Sequence, residues 1–345
     1  MRLLRKEEER RREANRRGEV GVSSPEAMAT SVTLEDIRAA QSRIKTEVIR
    51  TPLVLSDAAS ERAGLSVYLK LENLQRTGAF KVRGALSKVT SLTPEERRRG
   101  LISASSGNHG LGVAYASSRF DTRCIVVLPE SANPHKVALL QKMGAEIISH
   151  GTTSDARQHK VEQLSQESGY VQVHPFADPI LIAGQGTVGL EILEDLTDAD
   201  EVYVPIGGGG LISGIAVAVK QQRPSTRVYG VEPERSNAMW EALRHQGPFA
   251  LPRVETIADG LAARITERLN YALVRYYVDD IVLVKDADII EATLFLLEQA
   301  KVLVEPSGAT SFAGLLANPK RRGKAVAVVS GGNITLKQIE ALWPG

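Results

Sequence analysis

From about residue 30 onward, short apolar runs alternate with amphipathic stretches. Val67–Leu71, Cys124–Leu128, Ala145–Ser149, Val202–Ile206, Val228–Val231, Ile281–Val284 and Ala325–Ser330 are continuous or alternating apolar runs, and they predict strands. Leu111–Ser118, about Pro134–Met143, Leu211–Gln221 and Ala287–Val302 predict helices, with Gly144 ending the second. Thr93-Pro94-Glu95-Glu96 joins an N-cap, a proline at the first helical position and a capping-box acid, and Gly100 stops that helix. Thr33, with Glu35, Asp36, Ile37 and Ile44 after it, marks an earlier helix start. This βαβα alternation predicts an α/β fold with parallel sheets covered by helices.

The chain has 345 residues, which suggests about two domains. Apolar residues make up 43% and charged residues 24%, which excludes global disorder. The longest apolar stretches, such as Leu211–Val219, are too short to cross a bilayer, so no membrane partner is expected. Cys124 is the only cysteine, which rules out an intrachain disulfide and points to a reducing cytoplasm. The net charge of +2 gives no reason to expect nucleic acid. Residues 1–30 carry eight basic and six acidic side chains and account for that charge. They lack the apolar stretch of a secretory signal and are too acidic for a transit peptide. They read as a solvated, disordered extension, and Met28 is a candidate functional start.

Ligands of such folds bind at the carboxyl ends of the strands, so glycine-rich breaks there are candidate site loops. Four stand out. In Thr77–Ala85, Lys81 lies among small and apolar neighbours. Burial lowers a lysine's pKa because the ammonium loses hydration, and a neutral amine attacks a carbonyl to form a Schiff base. Lys81 is one of fourteen lysines, however, and an ordinary solvated lysine also fits this loop alone. Ser105-Ser106-Gly107-Asn108-His109-Gly110 precedes a helix and suits either an anion or a plain N-capping turn. Gly207-Gly208-Gly209-Gly210 leaves backbone amides free to converge on a phosphate at a helix N-terminus. Ser330-Gly331-Gly332-Asn333 follows the last strand and by itself is an ordinary turn.

A dinucleotide-binding dehydrogenase is the rival on pattern alone. Gly208, Gly210 and Gly214 lie between strand and helix, and Glu232 ends the next strand. The glycine spacing is one residue too long for that fingerprint. The histidines lack metal-ligand spacing, and His109 alone falls in a candidate loop.

In this order, the four loops resemble those of the fold-type II pyridoxal-phosphate enzymes, in particular the threonine/serine dehydratase and serine racemase family. Ala183–Thr187, Thr256–Gly260 and Val304–Ala309 are further matches, and the resemblance spans about residues 33–340. Seven matches in register displace the dehydrogenase reading. The resemblance implies a tryptophan synthase β-like architecture with pyridoxal 5'-phosphate as cofactor. A large domain would comprise residues 31–99 and 176–345, with a small substrate-clamping domain of 100–175 inserted in it. Lys81 would hold the cofactor aldehyde and later remove the substrate's α-proton. Phe80 would pack near the ring, and Asn108 would bond its 3′-oxygen. Gly207, Gly208, Gly209, Gly210 and the amide of Leu211 would hold the phosphate. Glu305 would lie at the cofactor, and Ser330 would meet the pyridine nitrogen. Ser105, Ser106, Gly107, Asn108 and His109 would clamp the substrate carboxylate.

The implied reaction is β-elimination of water from L-threonine or L-serine, giving a 2-oxo acid and ammonia. The alternatives are a serine racemase with dehydratase side activity and a dehydratase of another β-hydroxy amino acid such as 3-hydroxyaspartate. Ser106 stands where racemases of the family carry a proton-donating serine, which keeps racemisation open. Glu232 begins the family's divalent-cation loop, but Ala238 replaces its aspartate. One carboxylate is a poor hard-cation site, so a metal there is left open and not predicted. The short stretch after Asn333 leads us to expect no feedback domain. The resemblance also implies a homodimer or homotetramer.

Overall fold

The structure is a computed structural model and describes residues 28–343 except Ser106, Asn133 and Thr153. The charged extension, apart from its last three residues, and the expected role of Ser106 lie outside the described residues.

The first part of the chain forms α1 (Leu34–Ile44), β1 (Leu53–Leu55), α2 (Asp57–Ala63), β2 (Ser66–Leu71), α3 (Lys81–Ser91) and α4 (Pro94–Arg99). There follow β3 (Leu101–Ser103), α5 (Asn108–Arg119), β4 (Cys124–Leu128), α6 (Pro134–Lys142), β5 (Glu146–Ser149), α7 (Ser154–Ser168) and β6 (Val171–Gln172). The remainder forms α8 (Pro179–Asp195), β7 (Glu201–Pro205), α9 (Gly210–Gln222), β8 (Arg227–Pro233), α10 (Ala238–Arg244) and α11 (Arg268–Tyr277). It closes with β9 (Asp280–Val284), α12 (Asp286–Glu298), α13 (Pro306–Ala317), β10 (Lys324–Val329) and α14 (Leu336–Leu342).

Two sheets result. One has the order β1-β2-β10-β7-β8-β9, the other β5-β4-β3-β6. The second is wholly parallel. In the first, only the β1–β2 pair is antiparallel. The link from Leu55 to Ser66 is too short for the crossover that parallel neighbours need.

Both faces of the six-stranded sheet are buried, as the continuous apolar strands require. Val326 and Val328 of β10 face a core with α1, α8, α9 and α11. Ala325, Ala327 and Val329 alternate onto the other face, against α2, α12 and α13. A third core joins α3 and α5 to one face of the four-stranded sheet. No helix among the described residues is long and apolar enough to cross a membrane.

The predicted strands all form. The capping box at Thr93 is present, with Pro94 opening α4, and Thr33 caps α1 with Asp36 as its reciprocal partner. The helix expected to run from Ala287 to Val302 stops at Glu298. Lys301 there turns to φ +60, and Ala300 N and Val302 N donate back to Phe295 O and Leu296 O. Half of the expected Thr77–Ala85 loop is helix, because α3 begins at Lys81.

Candidate active site

Strand order brings the site together. β10 lies in parallel between β2 and β7, so the segments after these three strands leave the same edge as neighbours. They are the lysine segment, Ser330–Asn333 and the four glycines. Backbone contacts stitch the first two: Ala79 bridges Gly331, Phe80 N donates to Ser330 O at 3.1 Å, and Gly332 N donates to Gly78 O at 2.9 Å.

Lys81 opens α3. Its Nζ donates to the carbonyl of Pro175 at 2.8 Å and lies 5.2 Å from the centre of the Phe80 ring. Burial alone lowers its pKa to about 8. The helix is held between two others at close approach. A Cβ on Gly112 of α5 would lie 3.1 Å from the Lys81 backbone. A Cβ on Gly184 of α8 would lie 2.7 Å from Arg83 O and 2.8 Å from Gly84 Cα. Ala183–Thr187 is therefore helix that packs against the lysine helix. Gly214, which imitated a dinucleotide fingerprint, serves a similar crossing: its Cβ would lie 2.5 Å from Gly186 N.

The four glycines form a cradle at the start of α9. Gly209 takes φ +86, and no side chain caps the helix. The first-turn N–H groups of a helix have no partner within it. A Cβ on Gly208 would lie 2.2 Å from the ring of Phe176, and one on Gly210 would lie 2.9 Å from Phe176 O. Asn270, fully buried, donates from Nδ2 to Phe176 O at 3.1 Å. The strap His174–Ala177, which leaves β6, thus touches both the lysine amine and the glycine loop.

The asparagine loop approaches from the end of β3. Gly107, not a serine or asparagine, is the N-cap of α5, and no side chain caps that helix either. Asn108 Nδ2 donates to Glu305 Oε1 at 2.6 Å, and its Oδ1 accepts from Asn333 Nδ2 at 2.7 Å. Burial pushes the Glu305 carboxyl up to about 7, against the pull of the Asn108 donor. A Cβ on Gly331 would lie 2.4 Å from Glu305 Oε1. Ser330 is buried, with Oγ 3.4 Å from Ser307 O.

His109 turns inward. Its Nε2 meets Val173 O at 3.0 Å, and burial lowers its pKa to about 3, so it is a neutral core imidazole. Only its backbone remains for the loop. Glu232 is fully buried, and its two oxygens accept from Met239 N at 3.0 Å and Trp240 N at 2.8 Å, at the start of α10. Among the described residues no group of three or more His, Cys, Asp or Glu could hold a metal.

Sequence reasoning missed Pro175, Phe176 and Asn270, which reach the site only through tertiary contacts. It also missed a buried charge cluster behind Lys81. Arg83 bonds both oxygens of Glu72 and both of Glu191, and Lys70 adds Glu191 Oε2 at 2.6 Å and Thr51 O at 2.7 Å. The signal was present: Glu191 is a lone carboxylate in the apolar run Ile180–Leu193.

A family model described as pyridoxal-phosphate dependent enzyme matches residues 44–331. The chain is 45% identical over 312 residues to the L-threonine ammonia-lyase of Thermotoga maritima, covering 90% of this chain and 78% of the relative. It is 40% identical over 316 residues to the catabolic L-threonine dehydratase TdcB of Escherichia coli, covering 90% and 96%. The structure of maize serine racemase matches with a TM-score of 0.87 at 36% identity, covering 90% of this chain and 96% of that one.

Proposed function

Because the chain belongs to the pyridoxal-phosphate dependent enzyme family, we propose that it is an ammonia-lyase converting L-threonine, and L-serine, to a 2-oxo acid and ammonia. One observation carries the reading: a half-buried lysine amine held on the Pro175 carbonyl and a side-chain-free helix N-terminus share one sheet edge. The residues fit the cofactor. The Lys81 amine suits its aldehyde, and the glycine loop at the uncapped start of α9 suits its phosphate.

When bound, the cofactor supplies an electron sink for the substrate's α-carbon. Lys81 Nζ would hold the cofactor aldehyde, and once the substrate's amine displaces it the freed Lys81 amine would take the α-proton. The amides of Gly207 to Leu211 would hold the phosphate, and Phe80 would pack beside the ring. Asn108 would donate to the ring oxygen, beside Glu305. Ser330 would offer a neutral hydroxyl to the ring nitrogen. A hydroxyl would not enforce a protonated ring as a carboxylate would, which suits prompt loss of the β-hydroxyl. The backbone of Ser105–His109 clamps the substrate carboxylate, and residues 100–175 close over it to exclude water.

The reading includes a cytoplasmic setting, supported by the lone buried Cys124. It also includes a homodimer or homotetramer, supported by apolar Val54 and Leu55, exposed on edge strand β1.

The test is the holoenzyme with L-threonine and L-serine, read as 2-oxo acid, ammonia and chirality of the remaining amino acid. Elimination without racemisation is expected. Lys81→Ala should abolish the visible absorbance of bound cofactor and lower turnover by about a thousandfold or more. Retention of both would refute the assignment.

A further inference from the structure

Asn108 and Asn333 form a chain of amides whose direction begins at a backbone carbonyl. Asn333 Nδ2 donates to Thr77 O at 2.8 Å and to Asn108 Oδ1 at 2.7 Å. Both of its N–H groups are thereby used. Turning this amide over would set its oxygen against Thr77 O, which has only lone pairs to offer. Gly78 supplies the room for the amide: at φ +71, a Cβ there would lie 2.4 Å from Asn333 Oδ1. Asn108 is then constrained at both ends, its Oδ1 facing a donor and its Nδ2 facing Glu305 Oε1 at 2.6 Å. With Glu305 ionised, turning Asn108 over would create two like contacts, oxygen on carboxylate and N–H on N–H.

We propose that Asn333 is a positioning residue that, together with Glu305, fixes the polarity of the Asn108 amide, so that Asn108 presents its second N–H and not its carbonyl to the cofactor's ring oxygen. This rests on the reading of Asn108 as a cofactor partner given above. Asn333 itself stands at the exposed rim and need not touch the cofactor. The four-residue relay runs Thr77, Asn333, Asn108, Glu305. It links the lysine segment, the turn after β10, the start of α5 and the start of α13.

The test compares two substitutions by cofactor affinity for the apoprotein and by the visible band of the bound cofactor. Asn333→Asp keeps the shape but removes both donors and sets an acceptor against Asn108 Oδ1, so it opposes the Asn108 orientation that Glu305 favours. Affinity should fall about tenfold or more and the band should shift, because the bond from Asn108 to the ring oxygen is weakened. Asn333→Ala leaves Asn108 held by Glu305, and affinity should fall less than about threefold with the band in place. A merely structural role predicts the reverse order, since alanine also opens space. Equal effects, or no effect of Asn333→Asp, overturn the inference.

If Asn333→Asp does not fold, Asn333→Ala combined with Glu305→Gln releases both constraints. The pair should then shift the band beyond the sum of the single variants, and additivity would overturn the inference. Asn108→Ala tests the underlying reading separately. No change there removes Asn108 as a cofactor partner, whereas a change there with none in Asn333→Asp counts against Asn333 alone.

Discussion

Lys81 owes its reactivity to lost hydration. Its pKa falls to about 8 with burial as the cause, while its amine rests on a neutral carbonyl. The amine is therefore available near neutral pH without a neighbouring base. Labelling of Lys81 in the apoprotein by an amine reagent, followed by peptide mass, should rise with pH to a midpoint near 8. A midpoint near 10 would contradict the burial argument. The sign for stability follows. An unfolded lysine titrates near 10.4, so between about 8 and 10.4 the unfolded chain holds more protons. Lys81 thus penalises the folded apoprotein fully below pH 8, and that penalty is relieved as pH rises through this window.

At the scale of elements, glycine sets how close the helices come. α3 carries the lysine and lies between α5 and α8, with Gly112, Gly84 and Gly184 at the crossings. A Cβ on Gly184 would fall 2.6 Å from Ser87 Cβ and 2.7 Å from Arg83 O, and the second of these is backbone that cannot swing aside. Gly184→Ala should cost about 1–3 kcal/mol in urea unfolding by overpacking. It should also weaken cofactor retention, because α3 must shift. Gly247→Ala is the control: nothing lies within 4 Å, and a change under about 0.5 kcal/mol is expected. Equal losses from the two would show that the crossing is not tightly packed.

At the scale of the whole molecule, the charge cluster ties the sheet to the helices behind the site. Lys70 of β2, Glu72 just after it, Arg83 of α3 and Glu191 of α8 are almost wholly buried. Two cations balance two carboxylates, so the cluster is neutral as a unit. Removing one member strands a buried charge, which costs more than an intact pair contributes. Arg83→Met should lower unfolding free energy by about 3–5 kcal/mol, measured by denaturant titration of the apoprotein. A loss under about 1 kcal/mol would mean that the carboxylates find other partners. Because Arg83 lies two residues after Lys81, this cluster also anchors the helix that carries Lys81.

The sequence alone determined whatever depends on neighbouring residues along the chain. Apolar runs marked the strands, and Thr33 and Thr93 marked their helices, because capping is local. The glycine-rich breaks were visible as local features too, whereas Lys81 in its loop alone fitted an ordinary lysine as well and was singled out only by the resemblance of the four loops taken in order. Helix α8 escaped notice because its glycines lower helix propensity, although Asp178 and Pro179 announce its start. Tertiary structure alone decided that β10 separates β2 from β7 and so joins the segments that follow them. It also decided that Pro175 and Phe176 reach the site, that His109 turns inward, and that Asn333 meets Asn108. These depend on strand order and helix crossing, where residues far apart in the chain meet and no local pattern records the partner.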